Sequence, residues 1–480
     1  MGEAKRNADL RADSLLLSKR LKRARFDLYS IGTRLPLANV MAEELSWWAS
    51  QDEQLLGLVS RDTTDDDFLW MILARDKMGR FRCAQVVTDL RSQAYAETGL
   101  RLRLAEVLAS GKVNEFGIQF DETAIPIDLL SPLISTDTEH LHPYFKLLIE
   151  APGRAPARAV IQEIGPWLLP SDPHLVTEFQ TKGFDQRIWE IYLWAAFREL
   201  NLQVEQLQAP DFLCTGVDVE FSVEATTVAP STSGVLAEHP EPDGFEETKE
   251  FLDHYMAMKF ASPLTKKLDK EDKDGRRYWE RKETRGKPFL IAIADFHAPA
   301  TKDKLGSMTY TQTALWQYLY GNRVYWEIVD GELVIHRQQL IEHKYKKKTI
   351  PSGFFDLKDA ENVAAVVFSN AGTLAKFDRM GVVAGFGAEG YVYQRVGYRF
   401  DPDPQAVMGQ PFSVDVGDPE YQERWSQEIQ VFHNPNAVMP LPVEAMQGVT
   451  HHFFEDGLLQ SFAPSDSILS SFTFLGEIKG

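Results

Sequence analysis

Three acidic residues within 35 positions, Glu190, Asp211 and Glu224, have the types and the setting to hold a hard divalent cation. Mg²⁺ takes oxygen ligands and is usually bound by one or two carboxylates, with water and phosphate completing an octahedron. Asp211 and Glu224 are the two expected metal ligands, and Mg²⁺, or Mn²⁺ in its place, is the expected cofactor. A cation so placed lowers the pKa of a bound water and neutralises a phosphate, which leaves few tasks for protein groups.

Each acid lies in a segment whose pattern predicts how it is presented. Glu190 falls in FDQRIWEIYLWAAFREL at 184–200, an aromatic-rich helix, and Asp211 follows Pro210 in APDF at a strand end. In GVDVEFSVEATTV at 216–228, Val217, Val219, Phe221, Val223 and Ala225 share one face. Asp218, Glu220, Ser222, Glu224 and Thr226 share the other, so the alternation predicts a strand buried on one side and polar on the other. SPLTKKLDK at 262–270 predicts a helix with Ser262 as N-cap and Pro263 at its first position. Leu264 and Leu268 form its apolar stripe, flanked by Lys266, Lys267 and Lys270. KPFLIAIADFHA at 287–298 is a short continuous apolar run, as expected for a buried parallel strand, with Asp295 and His297 at its carboxyl end. TQTALWQYLYG at 311–321 predicts a helix ended by Gly321, and 322–336 a hairpin turning at Asp330-Gly331.

Taken in this order, the residues resemble the PD-(D/E)XK nuclease superfamily. Its core runs helix with Glu, strand with Pro-Asp, strand with Asp/Glu-x-Lys, helix, then another strand; Pro210-Asp211 matches the first half of the motif and Glu224-Ala225-Thr226 the second. The resemblance covers roughly a third of the chain. It implies an α/β fold with a mixed-sheet core and helices on both faces, and a nuclease that cuts nucleic acid, with DNA expected ahead of RNA as the substrate. It also implies that Glu190 orients the attacking water. Thr226 stands where the superfamily has the lysine that positions this water and steadies charge at the phosphate. Lys267 is the lysine expected to replace it; the alternative is that these lysines are the solvated face of an amphipathic helix. If no lysine takes the role, the resemblance implies a catalytically inactive nuclease fold serving as a binding or assembly module. By analogy alone, the setting is bacterial defence against phage or mobile-element biology.

At 480 residues the chain exceeds what one core organises, and the expected domains are 1–165, an α+β recognition or regulatory unit, 175–370, the nuclease-like core, and 371–480, a β-rich acidic extension. The first unit is also the expected surface for a homo-oligomer or protein partner. PGRAPAR at 152–158 and PWLLPSDPH at 166–174 mark the boundary. Hydrophobic content of 44% and aromatic content of 11% fit a folded globular protein. No apolar run approaches the roughly 18 residues of a membrane span; with no signal-peptide pattern, a cytoplasmic location is expected.

Net charge of −19 argues against a protein coated in nucleic acid, but its distribution is uneven. From Tyr255 to Lys287 eleven basic side chains face six acidic ones, the first 25 residues carry eight against three, and HKYKKK at 343–348 adds a third basic patch. Residues 401–480 hold twelve acids and two bases. One side of the molecule could therefore meet phosphates while another repels them; the alternative is that the basic runs merely solvate helices.

Other segments are read for what they exclude. SLLLSKRLKRARFDLYS at 14–30 predicts a basic amphipathic helix with Leu15, Leu16, Leu17 and Leu21 on one side. FLWMILARDKMGRFRCAQVV at 68–87 predicts a hairpin, TGLRLRLAEVLASG at 98–111 a helix, and TTVAPSTSGVLAEHPEPDG at 226–244 a mobile flap beside the carboxylates. DTTDDD at 62–67 lacks the Gly and terminal Glu of a calcium loop and reads as an exposed turn or cap. His451-His452 is a poor chelate because neighbours on a strand point oppositely. Two cysteines, Cys83 and Cys214, exclude a disulfide framework, and Cys214 reads as a small buried residue.

Overall fold

The computed structural model describes residues 16–121, 127–133, 138–168, 173–299, 311–403, 406 and 409–478. At the amino-terminal end β1 (Ser18–Arg20), β2 (Ala42–Ser50), β3 (Leu55–Asp62), β4 (Phe68–Arg75) and β5 (Phe81–Leu90) form an antiparallel meander in that order. The β4–β5 turn falls where the sequence places it, with Asp76 Oδ1 accepting from the N–H groups of Met78 at 2.9 Å and Arg80 at 3.0 Å. Helix α1 (Gln93–Ala109), capped by the Ser92 side chain, presses Leu100 and Leu104 onto Trp48, Leu55, Val59 and Trp70.

The amphipathic helix expected over 14–30 does not form as one element. Leu15 lies outside the described residues; the described part divides into β1 and a short helix at Arg23–Tyr29. Backbone pairing explains the split, because Ser18, Lys19 and Arg20 align with Ser50, Ala49 and Trp48 and the Leu21 N–H donates to the Trp47 carbonyl at 2.9 Å. Leu21 is buried, whereas Leu16 and Leu17 are exposed.

Two helices, α2 (Ala155–Ile164) and α3 (Phe184–Glu199), lead into the main sheet. Its first strands are β6 (Gln203–Gln206), β7 (Phe212–Thr215) and β8 (Glu220–Val228), joined antiparallel. Helix α4 (Ala257–Leu268) then returns the chain to β9 (Phe289–Asp295), parallel to β8. Helix α5 (Gln312–Tyr320) ends at Gly321 in the left-handed conformation, φ 59°, as predicted. The hairpin β10 (Asn322–Val329) and β11 (Glu332–Gln339) turns at Asp330-Gly331, both at positive φ. A smaller hairpin, β12 (Glu342–Tyr345) and β13 (Lys348–Pro351), carries the HKYKKK patch.

Beyond it come β14 (Val363–Phe368), α6 (Leu374–Val383), β15 (Tyr391–Arg399), β16 (Gln410–Asp415), β17 (Gln430–His433), β18 (Thr450–Glu455), β19 (Leu458–Phe462) and β20 (Ile468–Glu477). The main sheet has eight strands in the order β19-β18-β17-β14-β9-β8-β7-β6, and β16-β15-β20 form a separate three-stranded sheet. Residues beyond 371 thus supply three strands to the same sheet that carries Glu224.

Alternation along β9 shows why its sequence is apolar throughout. Leu290, Ala292 and Ala294 pack with Trp189, Tyr192 and Phe197 of α3 on one face, and Phe289, Ile291 and Ile293 pack with Phe260, Leu264 and Leu315 of α4 and α5 on the other. A parallel strand covered on both sides needs apolar residues at every position. The molecule is mixed α/β, and among the described residues no helix is long and apolar enough to cross a membrane.

Candidate metal centre and lysine-lined cleft

The antiparallel register of β7 and β8 pairs Phe212 with Val223. One further step sets Asp211 across from Glu224, and residues opposite each other on antiparallel strands project from the same face. Asp211 follows the cis peptide Ala209–Pro210, and its Oδ2 accepts from the Ala225 N–H at 2.7 Å. The sequence-predicted pair of carboxylates is therefore brought together by the sheet.

Glu190 comes from α3, which buries Trp189, Ile191 and Tyr192 against the opposite layer. Its carboxylate accepts from Gln186 Nε2 at 2.8 Å and from Arg187 Nη1 at 2.7 Å. Gln186 also donates to the Ala225 carbonyl at 3.3 Å and accepts from Thr227 Oγ1 at 3.2 Å, tying α3 to the strand of Glu224. Both partners lie three or four positions before Glu190, the helical spacing at which side chains meet, so their involvement was open to inference from sequence.

Glu224 is 4% exposed. Its Oε1 accepts from the Tyr278 hydroxyl at 2.8 Å and forms an ion pair with Lys267 Nζ. Its Oε2 is buried with no hydrogen-bond partner. Lys267, chosen from sequence as the displaced lysine, is thus in contact with the expected metal ligand, across the gap between α4 and β8. Tyr278 lies 54 positions from Glu224 in a 3₁₀ turn, and no local spacing links the two.

The electrostatics of this group are uncompensated. Burial drives the Asp211 carboxyl well above the usual carboxylate range, the charges of Glu224 and Glu190 push it further, and Lys267 only partly offsets them. Glu190 is raised too, by burial first, against the opposing pull of Arg187. A buried carboxylate oxygen without a donor, beside a second carboxyl whose pKa burial and like charge raise, is a set of hard oxygen ligands that a divalent cation satisfies. Glu190 is paired with Arg187 and Glu224 with Lys267. Among the described residues, the trio of carboxylates with oxygens all within 4.8 Å of one another is instead Asp62, Asp65 and Asp67. That trio sits on the turn after β3, where Asp62 Oδ1 caps the Thr64 N–H at 2.7 Å.

Two expectations about the surrounding elements are corrected. The face of β8 bearing Ser222, Glu224 and Thr226 is not solvent-facing: all three are buried, because α4 covers it. Nor does that helix begin at Ser262. It runs from Ala257, continuous with helical turns from Phe245, and Pro263 lies inside it. Pro263 removes one helical N–H donor, yet the buried Met258, Phe260, Ala261, Leu264 and Leu268 hold the segment helical through packing. The predicted stripe of Leu264 and Leu268 is as expected, fully buried.

Between α4, the segment following β8 and the β12–β13 hairpin lies a cleft of about 650 Å³. Lys259, Lys266, Lys267, Lys270 and Lys348 line it, with Thr226 and Tyr278, and no carboxylate is among its lining residues. The segment expected to be a mobile flap is fastened along this wall. Lys259 Nζ donates to the Ala229 carbonyl at 2.7 Å and Ser231 Oγ at 2.8 Å, and the Tyr255 hydroxyl donates to the Leu236 carbonyl at 2.9 Å. Burial lowers Lys259 to about 8.

The other singled-out residues serve the core. Asp295 and His297 are buried and bonded to each other, Nδ1 lying 2.9 Å from Oδ1. His451 lies 2.8 Å from His433 and 3.0 Å from the Met446 carbonyl, while His452 turns the other way to Ser461 and Gln430. Burial lowers the pKa of all three histidines. Cys214 is fully buried, and burial raises its thiol. No protein-family model matches the chain, and neither does any curated protein or solved structure.

Proposed function

We propose that the protein is a metal-dependent phosphodiesterase acting on nucleic acid, with α3, β6, β7, β8, α4 and β9 as a core of the PD-(D/E)XK kind. The observation that carries this proposal is the meeting of Lys267 with Glu224. A lysine supplied by the covering helix stands at the carboxylate pair, as the chemistry needs and as Thr226 cannot provide. In this reading Asp211 and Glu224 hold Mg²⁺ or Mn²⁺, which supplies Lewis acidity and an activated water. Glu190, steadied by Gln186 and Arg187, orients the attacking water. Lys267 turns from Glu224 towards the phosphate as charge develops there, an interaction that strengthens in the transition state. Asp211 would ligate as the carboxylate, and burial raises its pKa, so activity is expected to rise with pH as that group ionises.

The test is to incubate the purified protein with plasmid DNA, linear single strands and RNA in Mg²⁺ or Mn²⁺, DNA being the first substrate to try. Cleavage that disappears in Asp211→Ala and Glu224→Ala proteins of unchanged melting temperature supports the proposal. Absence of cleavage in a folded wild-type protein would leave the inactive nuclease fold, a binding or assembly module, in its place. The amino-terminal sheet as a recognition or oligomerisation surface, a cytoplasmic location and a bacterial defence or mobile-element setting belong to the same proposal and rest on the resemblance.

A further inference from the structure

The cleft beside Lys267 has walls on three sides: α4, the fastened segment from Ala229 to Leu236, and the β12–β13 hairpin carrying Lys348. A space of about 650 Å³ open to the centres of water molecules is roughly 11–12 Å from wall to wall if equidimensional. A duplex, whose major and minor grooves together are about 16 Å deep, is wider than that, so a double helix does not lie between these walls. One strand does. Lys259 and Lys266 lie seven positions apart on α4, two turns along one face and about 10 Å in rise, roughly three stacked nucleotides at ~3.4 Å each. Lys259 is committed to holding the wall, while Lys266, Lys270 and Lys348 are exposed along the cleft. Tyr278 gives its hydroxyl to Glu224, so the cleft offers charge along a backbone rather than rows of rings for bases.

From this geometry we infer that the cleft takes a single strand of nucleic acid, held by its phosphates through Lys266, Lys270 and Lys348 and delivered to Lys267 and the carboxylates. The inference rests on the proposed phosphodiesterase reading for its purpose, but binding tests it separately from cleavage. Sequence-tolerant strand binding by a basic groove should be strongly salt-dependent.

The experiment is fluorescence anisotropy in Ca²⁺ with a labelled oligonucleotide of roughly 12 nucleotides, as single-stranded DNA, single-stranded RNA and blunt duplex. One of the two single strands is expected to bind at least about tenfold more tightly than the duplex. Replacing Lys266, Lys270 and Lys348 together by Gln should weaken it and flatten the log-log salt slope by about two units, at roughly 0.7 per single-strand phosphate. Equal or tighter binding of duplex overturns the inference, and so does a triple variant of unchanged melting temperature with wild-type affinity and slope. A Lys259→Met variant adds a second readout: loosening the wall should narrow the preference for single strands over duplex, and an unchanged preference counts against the wall's role. Duplex binding with cleavage would sink this inference and leave the phosphodiesterase standing; single-strand binding without cleavage would do the reverse.

Discussion

Two groups of buried charges in this molecule are built from the same residue types and behave oppositely. Lys376 and Arg379 of α6 and Arg395 of β15 surround Glu423 and Glu428, with every one of the five nearly inaccessible. Burial pushes Glu423 up, yet Arg379, Arg395 and Lys376 together hold it well below the usual carboxylate range, and Tyr421 adds a hydrogen bond at 2.7 Å. At the β7–β8 edge, three carboxyls share Lys267 and Arg187, and Asp211 is driven well above its usual range. The first group is closed: each acid has its cations and donors. The second keeps an unpaired buried oxygen and an excess of negative charge, the kind of imbalance that persists where a ligand is to be met.

Breaking the two groups should therefore break different properties. Asp211→Ala or Glu224→Ala is expected to reduce metal-dependent cleavage by on the order of a thousandfold or more while the fold persists. Normal cleavage by the Asp211→Ala protein in a time course would remove the assignment. Arg379→Ala in the closed group should instead lower unfolding free energy by about 3–5 kcal/mol, because it removes the guanidinium bonded to both Glu423 oxygens and leaves that buried acid only Lys376, Arg395 and Tyr421. Urea denaturation reads this directly, and a loss under about 1 kcal/mol would show that the network is not compensated as described.

Lys267→Ala comes next in size. A contact made chiefly in the transition state acts on turnover rather than affinity, so kcat should fall by on the order of a hundredfold with KM little changed. Adding Thr226→Lys to that variant returns an ammonium to the superfamily position and should restore much of the rate. Failure of rescue together with a small effect of Lys267→Ala would make this lysine an ordinary solvated side chain.

The pH dependence of stability separates the groups by sign. Glu423 has a folded pKa below its unfolded value near 4.5, so its contribution is present above that pH and lost as pH falls through the window beneath it. Asp211 has a folded pKa above its unfolded value near 3.8, so the native state holds the proton longer and stability falls as pH rises between the two. Asp211→Asn should remove this decline, and thermal melting from pH 4 to 8 should show a flatter profile for the variant. The smallest effect is expected of Tyr278→Phe, which deletes one donor to Glu224 and should cost about 1 kcal/mol, or less than tenfold in rate.

Strong local patterns were legible in the sequence. The apolar run of β9, the Asp330-Gly331 turn and the Gly321 helix stop are where periodicity and turn chemistry put them. Asp211, Glu224 and Lys267 were singled out from residue type and order; the sheet brings the two acids together and the covering helix α4 brings the lysine. What escaped was set by tertiary cover. Ser222, Glu224 and Thr226 alternate as an exposed face does, but the helix that buries them is 29 residues downstream of β8. Pro263 reads as a helix start and is held inside a helix by packing on both sides of it. The closed network joins residues from 376 to 428 across three elements, and nothing in its spacing marks it.

The most direct test is a calorimetric titration of Mn²⁺ at neutral pH, run in two buffers of different ionisation enthalpy. An Asp65→Asn background removes the exposed Asp62-Asp65-Asp67 turn as a competing site. The carboxylate centre predicts saturable binding accompanied by proton release, since burial raises the pKa of Asp211 and the metal takes its carboxylate form. Asp211→Asn should abolish the proton release and weaken binding at least tenfold. Absence of saturable binding, or identical affinity and proton release in Asp211→Asn and Glu224→Gln, would contradict a metal centre at this pair.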